Sequence, residues 1–255
     1  MDYTYCILAV PGDRAYGGCT LKKIKIADLR KTIYYLKRNG LKKTLGAVRE
    51  RMDAAGQESY RWEPLSMTER EAQTQKAREE GFSVTFSIVT PTYCTPEKYL
   101  RELIESLRNQ SYEKWELVLA DASGDDSVKR VADSYTDERI RFRKLAENAG
   151  IAGNTNAGLE MARGDYIGLL DHDDVLTENA LFEMAVKIEQ GRRNGVAPVL
   201  LYSDEDKCNG DMTEFYDPNR KEDFNLDLLL SNNYICHFLV MKRELMQSLG
   251  LRGEY

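Results

Sequence analysis

The chain has 255 residues, of which 42% are hydrophobic and 31% charged, and its formal net charge is −6. No stretch approaches the roughly 18 apolar residues of a membrane-spanning helix, and the amino terminus lacks the regions of a secretory signal. Five scattered cysteines without a CxxC pair argue against a disulfide framework and a zinc site, and they favour a reducing, cytoplasmic location.

Residues 1–80 are predicted to form a helical, basic amino-terminal region and linker. Apolar residues recur at helical spacing from Ile26 to Leu36 and again from Leu41 to Met52, and the polar segment 68–80 resembles an exposed helix or linker. Residues 21–51 contain eleven Lys and Arg against two acidic residues. This segment is either a solvated helical face or a peripheral contact with anionic lipids at the inner face of the plasma membrane.

From residue 81 onward, strand and helix patterns alternate. The predicted strands are 84–90, 115–120, 140–145, 165–170 and 198–203, and the predicted helices are 97–108, 126–135, 151–163 and 177–190. Thr95 is predicted to cap the first of these helices with Pro96 at its first helical position, and Gly164 and Gly191 are predicted helix ends. This alternation predicts an α/β domain with a Rossmann-like, doubly wound, mainly parallel sheet, whose ligands bind at the carboxyl ends of the strands.

Polar segments follow the first three predicted strands. Tyr93, after Pro91 and Thr92, can stack on a nucleobase, although a proline-rich turn explains the same residues. Asp121 can accept the imide N–H of uracil or thymine, or simply form an Asx turn. Residues 147–156 enter a helix whose amino terminus can attract phosphate, but they match neither GxGxxG nor the Walker A pattern.

The strongest motif is Asp171-His172-Asp173-Asp174, at the end of the fourth predicted strand. Three carboxylates in four residues repel one another, and a divalent cation removes that penalty. Carboxylate oxygens suit Mn²⁺ or Mg²⁺, which usually share their coordination with phosphates. The alternative is an acidic turn that caps the next helix, with His172 a bystander. Residues 203–207 form a second acidic loop that contacts the sugar or the acceptor, or is a solvated turn.

These motifs, in this order, resemble the family 2 glycosyltransferases, inverting enzymes of the GT-A fold. The resemblance covers about residues 84–255 and is carried by SIVTPTY, NQSYEKWELVLADAS, NAGIAGNTNAG, GDYIGLLDHDDVL, YSDEDK and NNYICHFLVMKRELM. The SDEDK and NNYICH segments are similar to a subgroup that builds bacterial surface polysaccharides, often from UDP- or dTDP-sugars.

The resemblance implies a nucleotide-sugar site built from eleven residues: Pro91, Thr92, Tyr93, Asp121, Ser123, Asn148, Asn154, Thr155, Asp171, His172 and Asp173. The segment 91–93 would line the nucleoside pocket, and Asp121 would bind the base. Asp171 and Asp173 are the DxD positions that meet ribose and metal, with Asp173 the better candidate for a direct ligand of Mn²⁺ or Mg²⁺.

The sequence departs from the family pattern at two places. Many relatives have an arginine where this chain has Thr155, so one expected diphosphate contact is missing. Relatives also continue past the position of Tyr255 with an acidic motif that supplies the catalytic base. We therefore expect that this chain is truncated and that its base lies beyond Tyr255, with Asp204 and Asp206 as secondary candidates.

The predicted function is metal-dependent, inverting transfer of a sugar from a nucleotide-diphosphate sugar to a glycan or lipid-linked acceptor, with no nucleic acid partner. One alternative is a domain that binds the nucleotide without turning it over. Another is a haloacid-dehalogenase-like phosphatase with Asp171 as nucleophile. In that class a glycine stands where this chain has Asp174, and the motif opens the domain, whereas here it follows the fourth strand.

Overall fold

The computed structural model describes residues 4–8, 64–221 and 223–252. Its strands are β1 (Thr4–Leu8), β2 (Phe86–Thr92), β3 (Trp115–Asp121), β4 (Ile140–Lys144), β5 (Tyr166–Leu169), β6 (Val175–Leu176), β7 (Leu200–Tyr202), β8 (Asp204–Cys208), β9 (Phe215–Asn219) and β10 (Leu239–Lys242). Its helices are α1 (Met67–Glu79), α2 (Glu97–Arg108), α3 (Ser127–Asp133), α4 (Gly150–Leu159), α5 (Ala180–Arg193), α6 (Leu226–Ser231) and α7 (Arg243–Leu249).

The central sheet has six strands in the order β4-β3-β2-β5-β10-β7. Strands β4, β3, β2 and β5 are parallel to one another. Strand β10 lies antiparallel between β5 and β7, so β7 has the same direction as the first four. The predicted α/β fold with a mainly parallel sheet is therefore confirmed, and the antiparallel β10 is a strand that the sequence patterns did not identify.

Both faces of the central sheet are covered, as a doubly wound sheet requires. On one face, buried side chains of α2, α3 and α5 pack with alternate residues of β2, including Phe86 and Ile88. On the other face, Leu159 of α4 and Met246 of α7 pack with Val89 of β2. Consecutive strand residues thus enter different cores, which explains why β2 has an almost continuous apolar sequence.

A second, four-stranded sheet has the order β6-β1-β8-β9. Strand β1 is parallel to β6 and antiparallel to β8, and β8 is antiparallel to β9. The prediction that residues 203–207 form an acidic loop is therefore wrong, because β8 occupies Asp204–Cys208. Backbone pairing on both sides of β8 outweighs the low strand propensity of its acidic residues.

Three predicted helix boundaries are also wrong. Pro96, not Thr95, occupies the cap position of α2, and the buried Thr95 hydroxyl makes no hydrogen bond within the described part of the chain. Gly191 lies inside α5, and Gly164 lies beyond the end of α4. At Gly164 a Cβ would lie 2.7 Å from the Phe86 carbonyl carbon, so this glycine permits close packing on β2 and does not end a helix.

The polar segment 68–80, predicted as an exposed helix or linker, is helical over Met67–Glu79. Ser66 and Glu69 cap α1 reciprocally, and Thr74 of α1 donates a hydrogen bond to the Ser111 carbonyl at 2.8 Å. The basic residues 21–51 lie outside the described residues, so their helices and membrane contact stay predictions, as does a domain boundary at residue 80. None of the helices in the described ranges combines the length and hydrophobicity needed to cross a bilayer.

Candidate functional site

The carboxyl ends of β2 and β3 are joined through the carboxylate of Asp121, which is fully buried. Asp121 Oδ1 accepts hydrogen bonds from Thr92 Oγ1 at 3.1 Å and Ser123 Oγ at 2.5 Å, and Lys144 Nζ lies 2.9 Å from Oδ2. Ser123 Oγ in turn accepts a hydrogen bond from the Cys94 amide at 2.9 Å. Asp121 therefore has protein partners on both oxygens and fixes the two strand ends relative to each other.

Pro91, Thr92 and Tyr93 lie at this edge, as predicted from the position of the first strand. Thr92 is buried, Pro91 is half-buried, and Tyr93 is 53% exposed. An exposed aromatic ring at the carboxyl end of a parallel strand is available for stacking on a ligand. Contact of these residues with a nucleoside stays a prediction.

At the start of α4, asparagine side chains bond to the nearby backbone. Asn148 Oδ1 accepts hydrogen bonds from the Gly150 amide at 3.0 Å and from Asn154 Nδ2 at 2.9 Å. Asn154 Oδ1 accepts from the Ala149 amide at 3.1 Å, and Thr155 Oγ1 donates to the Ile151 carbonyl at 2.7 Å. Asn148, Asn154 and Thr155 thus order this turn from within, and their predicted contact with a diphosphate is not tested by these bonds.

The acidic cluster 171–174 connects β5 to β6, between the two sheets. Asp171 is exposed, His172 and Asp173 are half-buried, and Asp174 is 1% exposed. The Asp174 amide donates to the Asp171 carbonyl at 3.2 Å, which closes a tight turn. The four residues therefore differ in their environment. The turn buries Asp174, whereas Asp171 and Asp173, the predicted DxD positions, are more exposed.

His237 joins this cluster from the segment that precedes β10, and sequence reasoning had assigned this residue no role. Its Nδ1 lies 3.5 Å from Asp174 Oδ2. Because β10 runs antiparallel to β5, residues that precede β10 lie beside the carboxyl end of β5. Sequence reasoning considered only residues that follow predicted strands, so it did not identify His237. The available signal was a histidine without an assigned role just before a strand-like sequence.

Three side chains, Asp171, Asp174 and His237, lie close enough together that they could hold a cation. Donor atoms of Asp171, Asp174 and His237 lie within 4.8 Å of one another. Two carboxylates and one imidazole are a ligand set that suits Mn²⁺ and other divalent cations. Asp173, predicted as the better direct ligand, is not part of this group, and its role in metal binding stays a prediction.

The pKa values at the site reflect burial among like charges. Burial raises the pKa of Asp174 to about 6, against the opposing effect of His237. Partial desolvation raises the pKa of Asp171, and the nearby charge of Asp173 adds to it. Burial alone lowers the pKa of His237, but Asp174 outweighs it and the net shift is upward. A divalent cation would favour the ionised carboxylates and relieve their mutual repulsion.

Beside the cluster lies strand β8, which carries Asp204, Glu205 and Asp206. Asp204 Oδ1 accepts a hydrogen bond from the Lys221 amide at 2.8 Å. Asp206 is 1% exposed and neither of its carboxylate oxygens has a hydrogen-bond partner in the described part of the chain. Nothing in these contacts assigns the catalytic base to Asp204 or Asp206, and that role stays a prediction.

Glu205 forms a second group with Cys236 and His237, whose possible ligand atoms also lie within 4.8 Å of one another. However, Lys221 Nζ lies only 2.8 Å from Glu205 Oε2. The lysine ammonium already supplies a positive charge at this carboxylate and would repel a dication. The first group is therefore the better cation site.

Comparison with known proteins identifies the family of this chain. A family model described as "Glycosyl transferase family 2" matches residues 87–250. Over 167 residues, 64% of this chain, it is 40% identical to the uncharacterized protein y4gI of Sinorhizobium fredii and 34% identical to the O-antigen biosynthesis protein RfbC of Myxococcus xanthus. The match spans only 18% and 13% of those two proteins.

A third similar protein is the GalNAc(5)-diNAcBac-PP-undecaprenol beta-1,3-glucosyltransferase of Campylobacter jejuni. It is 26% identical over 175 residues, which are 66% of this chain and 55% of that protein. All three relatives are longer than the region they share with this chain.

Proposed function

This chain belongs to glycosyl transferase family 2, and from that membership we propose that it takes part in transfer of a sugar from a nucleotide-diphosphate sugar to a glycan or lipid-linked acceptor, with inversion. The donor is of the UDP or dTDP type, and a divalent cation, Mn²⁺ or Mg²⁺, assists. The single observation that carries the proposal beyond family membership is the convergence of Asp171, Asp174 and His237 at the carboxyl end of β5.

Metal dependence is supported by the chemistry of this donor set. Asp174 is buried with a pKa of about 6, which is unfavourable for a carboxylate that serves folding alone. In the proposal, Asp171, Asp174 and His237 hold the ion. When bound, the ion supplies positive charge against the departing nucleoside diphosphate, which stabilises the leaving group.

The other residues at this edge bind and orient the donor. Tyr93 offers an exposed ring for the base. Asp121 is assigned to the base by the family resemblance, but its buried carboxylate is held by Thr92 and Lys144 at the end of β3, so that contact stays a prediction. Fixing the donor between β2, β3 and β5 limits its motion and lowers the entropic part of the barrier.

Inversion requires one in-line displacement at the anomeric carbon, with a carboxylate that takes the proton of the acceptor hydroxyl. No described carboxylate is assigned this task by its contacts. The acceptor class is proposed from the relatives, since one is named for O-antigen biosynthesis and another for transfer to an undecaprenol-linked glycan.

A nucleotide-binding role without turnover is the rival account. Isothermal titration calorimetry with UDP, in Mn²⁺ and in EDTA, tests binding, and a parallel assay of UDP-sugar transfer or hydrolysis tests turnover. We expect binding that strengthens with Mn²⁺ and is lost in Asp171→Asn. Metal-dependent binding without any turnover would support the rival, and no binding under either condition would refute both.

The phosphatase alternative is not favoured, because the family model that matches this chain is one of glycosyl transfer. A phosphatase of that class would form an aspartyl-phosphate at Asp171 and release phosphate from simple esters. Hydrolysis of p-nitrophenyl phosphate by the wild type, but not by Asp171→Asn, is the result that would reinstate it.

A further inference from the structure

A buried ion pair lies next to His237 and contacts the backbone of residues 235–237. Lys221 Nζ and Glu205 Oε2 are 2.8 Å apart, and their side chains are 1% and 8% exposed. Buried ion pairs are costly to desolvate and seldom stabilise a fold more than apolar residues of the same size would. The contacts of this pair with the backbone that carries His237 point to a role beyond stability.

Both charges of the pair bond to the backbone around His237. Glu205 Oε2 accepts a hydrogen bond from the His237 amide at 2.9 Å. Lys221 Nζ donates to the carbonyl of Ile235 at 3.2 Å and also to the carbonyl of Cys236. Three consecutive residues, 235–237, are thus held through their backbone by one carboxylate and one ammonium.

The pair is itself anchored to the smaller sheet. Glu205 lies in β8, and its second oxygen accepts a hydrogen bond from Asn219 Nδ2, in β9, at 2.8 Å. The segment 235–237 precedes β10 of the larger sheet. The ion pair therefore ties the two sheets together at the point where His237 meets Asp174.

We propose that Glu205 and Lys221 are positioning residues, which hold the 235–237 backbone and thereby place the His237 imidazole at the Asp171–Asp174 cation site. The inference rests on the metal site of the proposed function. It assigns the second acidic residue of the SDEDK segment to the support of a ligand, and not to proton transfer. Partners that orient a ligand in this way commonly change metal affinity by about 10- to 100-fold when they are replaced.

The test is the double variant Glu205→Gln/Lys221→Met, which removes both charges at nearly constant volume and leaves no buried charge unpaired. Mn²⁺ affinity is measured by electron paramagnetic resonance, and thermal unfolding reports stability. We expect Mn²⁺ binding to weaken by about 10- to 100-fold, while the protein stays folded. Lys221→Arg, which retains the charge and the donors, should recover most of the affinity.

A matched control is Glu116→Gln/Arg141→Met. This pair is also largely shielded from solvent, with Arg141 Nη1 and Glu116 Oε2 3.0 Å apart, and Glu116 also accepts a hydrogen bond from a backbone amide. It lies near the amino end of β3, away from the cation site. The control should lose stability without losing Mn²⁺ affinity. An equal loss of affinity in both double variants would overturn the proposal.

A second readout does not depend on metal. The chain has two histidines, so NMR of the imidazole Cε1–H groups gives two signals. In the Glu205→Gln/Lys221→Met variant the metal-free His237 signal should move or broaden, while that of His172 stays in place. Unchanged His237 signals together with unchanged Mn²⁺ affinity would overturn the proposal.

The two readouts separate this inference from the proposed function. If wild-type protein bound no Mn²⁺, the metal site would be refuted, and the His237 signal alone would then decide whether the ion pair positions the imidazole. If the double variant does not fold, Glu205→Asp is the milder variant, because it keeps the charge opposite Lys221 but is one methylene too short to hold the His237 amide in the same way. Its Mn²⁺ affinity should fall below that of the wild type; affinity equal to wild type would contradict the proposal.

Discussion

Asp206 shows at the scale of one residue how a buried charge makes stability depend on pH. Its carboxyl group is 1% exposed, and burial raises its pKa to about 7. In the unfolded chain the same group ionises near its ordinary value, so unfolding at neutral pH releases a proton. The group therefore favours the folded state at low pH, and this contribution is lost as the pH rises through about 7.

Replacement of Asp206 by asparagine should remove this pH dependence. Between pH 5.5 and 8.5 we expect the free energy of unfolding of the wild type to fall on the order of 2 kcal/mol relative to the Asp206→Asn variant. Urea unfolding of both proteins at the two pH values measures the difference. Parallel changes in the two proteins would show that the Asp206 carboxyl titrates near its ordinary pKa.

The acidic cluster shows which residue assignments the sequence allows and which it does not. The motif 171–174 was identified because three carboxylates within four residues demand a counter-charge. Which carboxylate would be buried, and that His237 would lie beside it, depends on the turn between β5 and β6 and on the direction of β10. These are tertiary features with no local signal, so the pairing of Asp174 with His237 could not be predicted.

At the scale of secondary structure, the close contact of α4 with the central sheet depends on Gly158. A Cβ at this position would lie 2.6 Å from Val89 Cγ1 of β2 and 3.5 Å from Ala120 Cβ of β3. Val89 is buried and its branched side chain has little freedom to move. The absence of a side chain at Gly158 thus lets α4 lie close to the strands whose ends form the site.

Gly158→Ala should destabilise the protein although alanine is the better helix former. The gain in helix propensity is about 1 kcal/mol, whereas overpacking of a tight core costs about 1–3 kcal/mol. We expect a lower midpoint of thermal unfolding and weaker UDP binding, as α4 moves away from β2. Gly124→Ala is the control for stability, because a Cβ there meets nothing within 4 Å. A rise in the unfolding midpoint of Gly158→Ala would contradict this account.

The elements predicted best are those with a strong hydrophobic pattern. Strand β3 was predicted at 115–120 and observed at Trp115–Asp121, and α2 was predicted and observed at 97–108. The pattern did not identify β8, whose sequence DEDKC has polar residues on both faces. Its strand conformation depends on pairing with β1 and β9, and pairing between distant segments leaves no local pattern.

At the scale of the whole molecule, the cation site couples metal binding to pH. Asp174 must lose a proton to bind a cation, and its pKa is about 6. The pKa values of His237 and Asp171 are also raised, so protons compete with the metal at all three ligands. Metal binding should therefore strengthen as the pH rises through about 6 and weaken below it.

Titration of the metal-free protein with Mn²⁺ at several pH values measures this competition. From pH 7 to pH 5 we expect the dissociation constant to rise by at least about tenfold, since one proton must be displaced. The Asp174→Asn variant should bind Mn²⁺ weakly throughout and show a shallower pH dependence. Affinity that does not change over this range would indicate that neither Asp174 nor His237 binds the ion.

The central claim is that one edge of the α/β sheet holds a divalent cation together with a nucleoside diphosphate. A crystal structure with UDP and Mn²⁺, with anomalous diffraction data collected at the manganese absorption edge, tests it most directly. We expect an anomalous peak within coordination distance of Asp171, Asp174 and His237, with the diphosphate adjacent. A peak at another group of residues, or UDP bound away from the carboxyl ends of β2, β3 and β5, would contradict it.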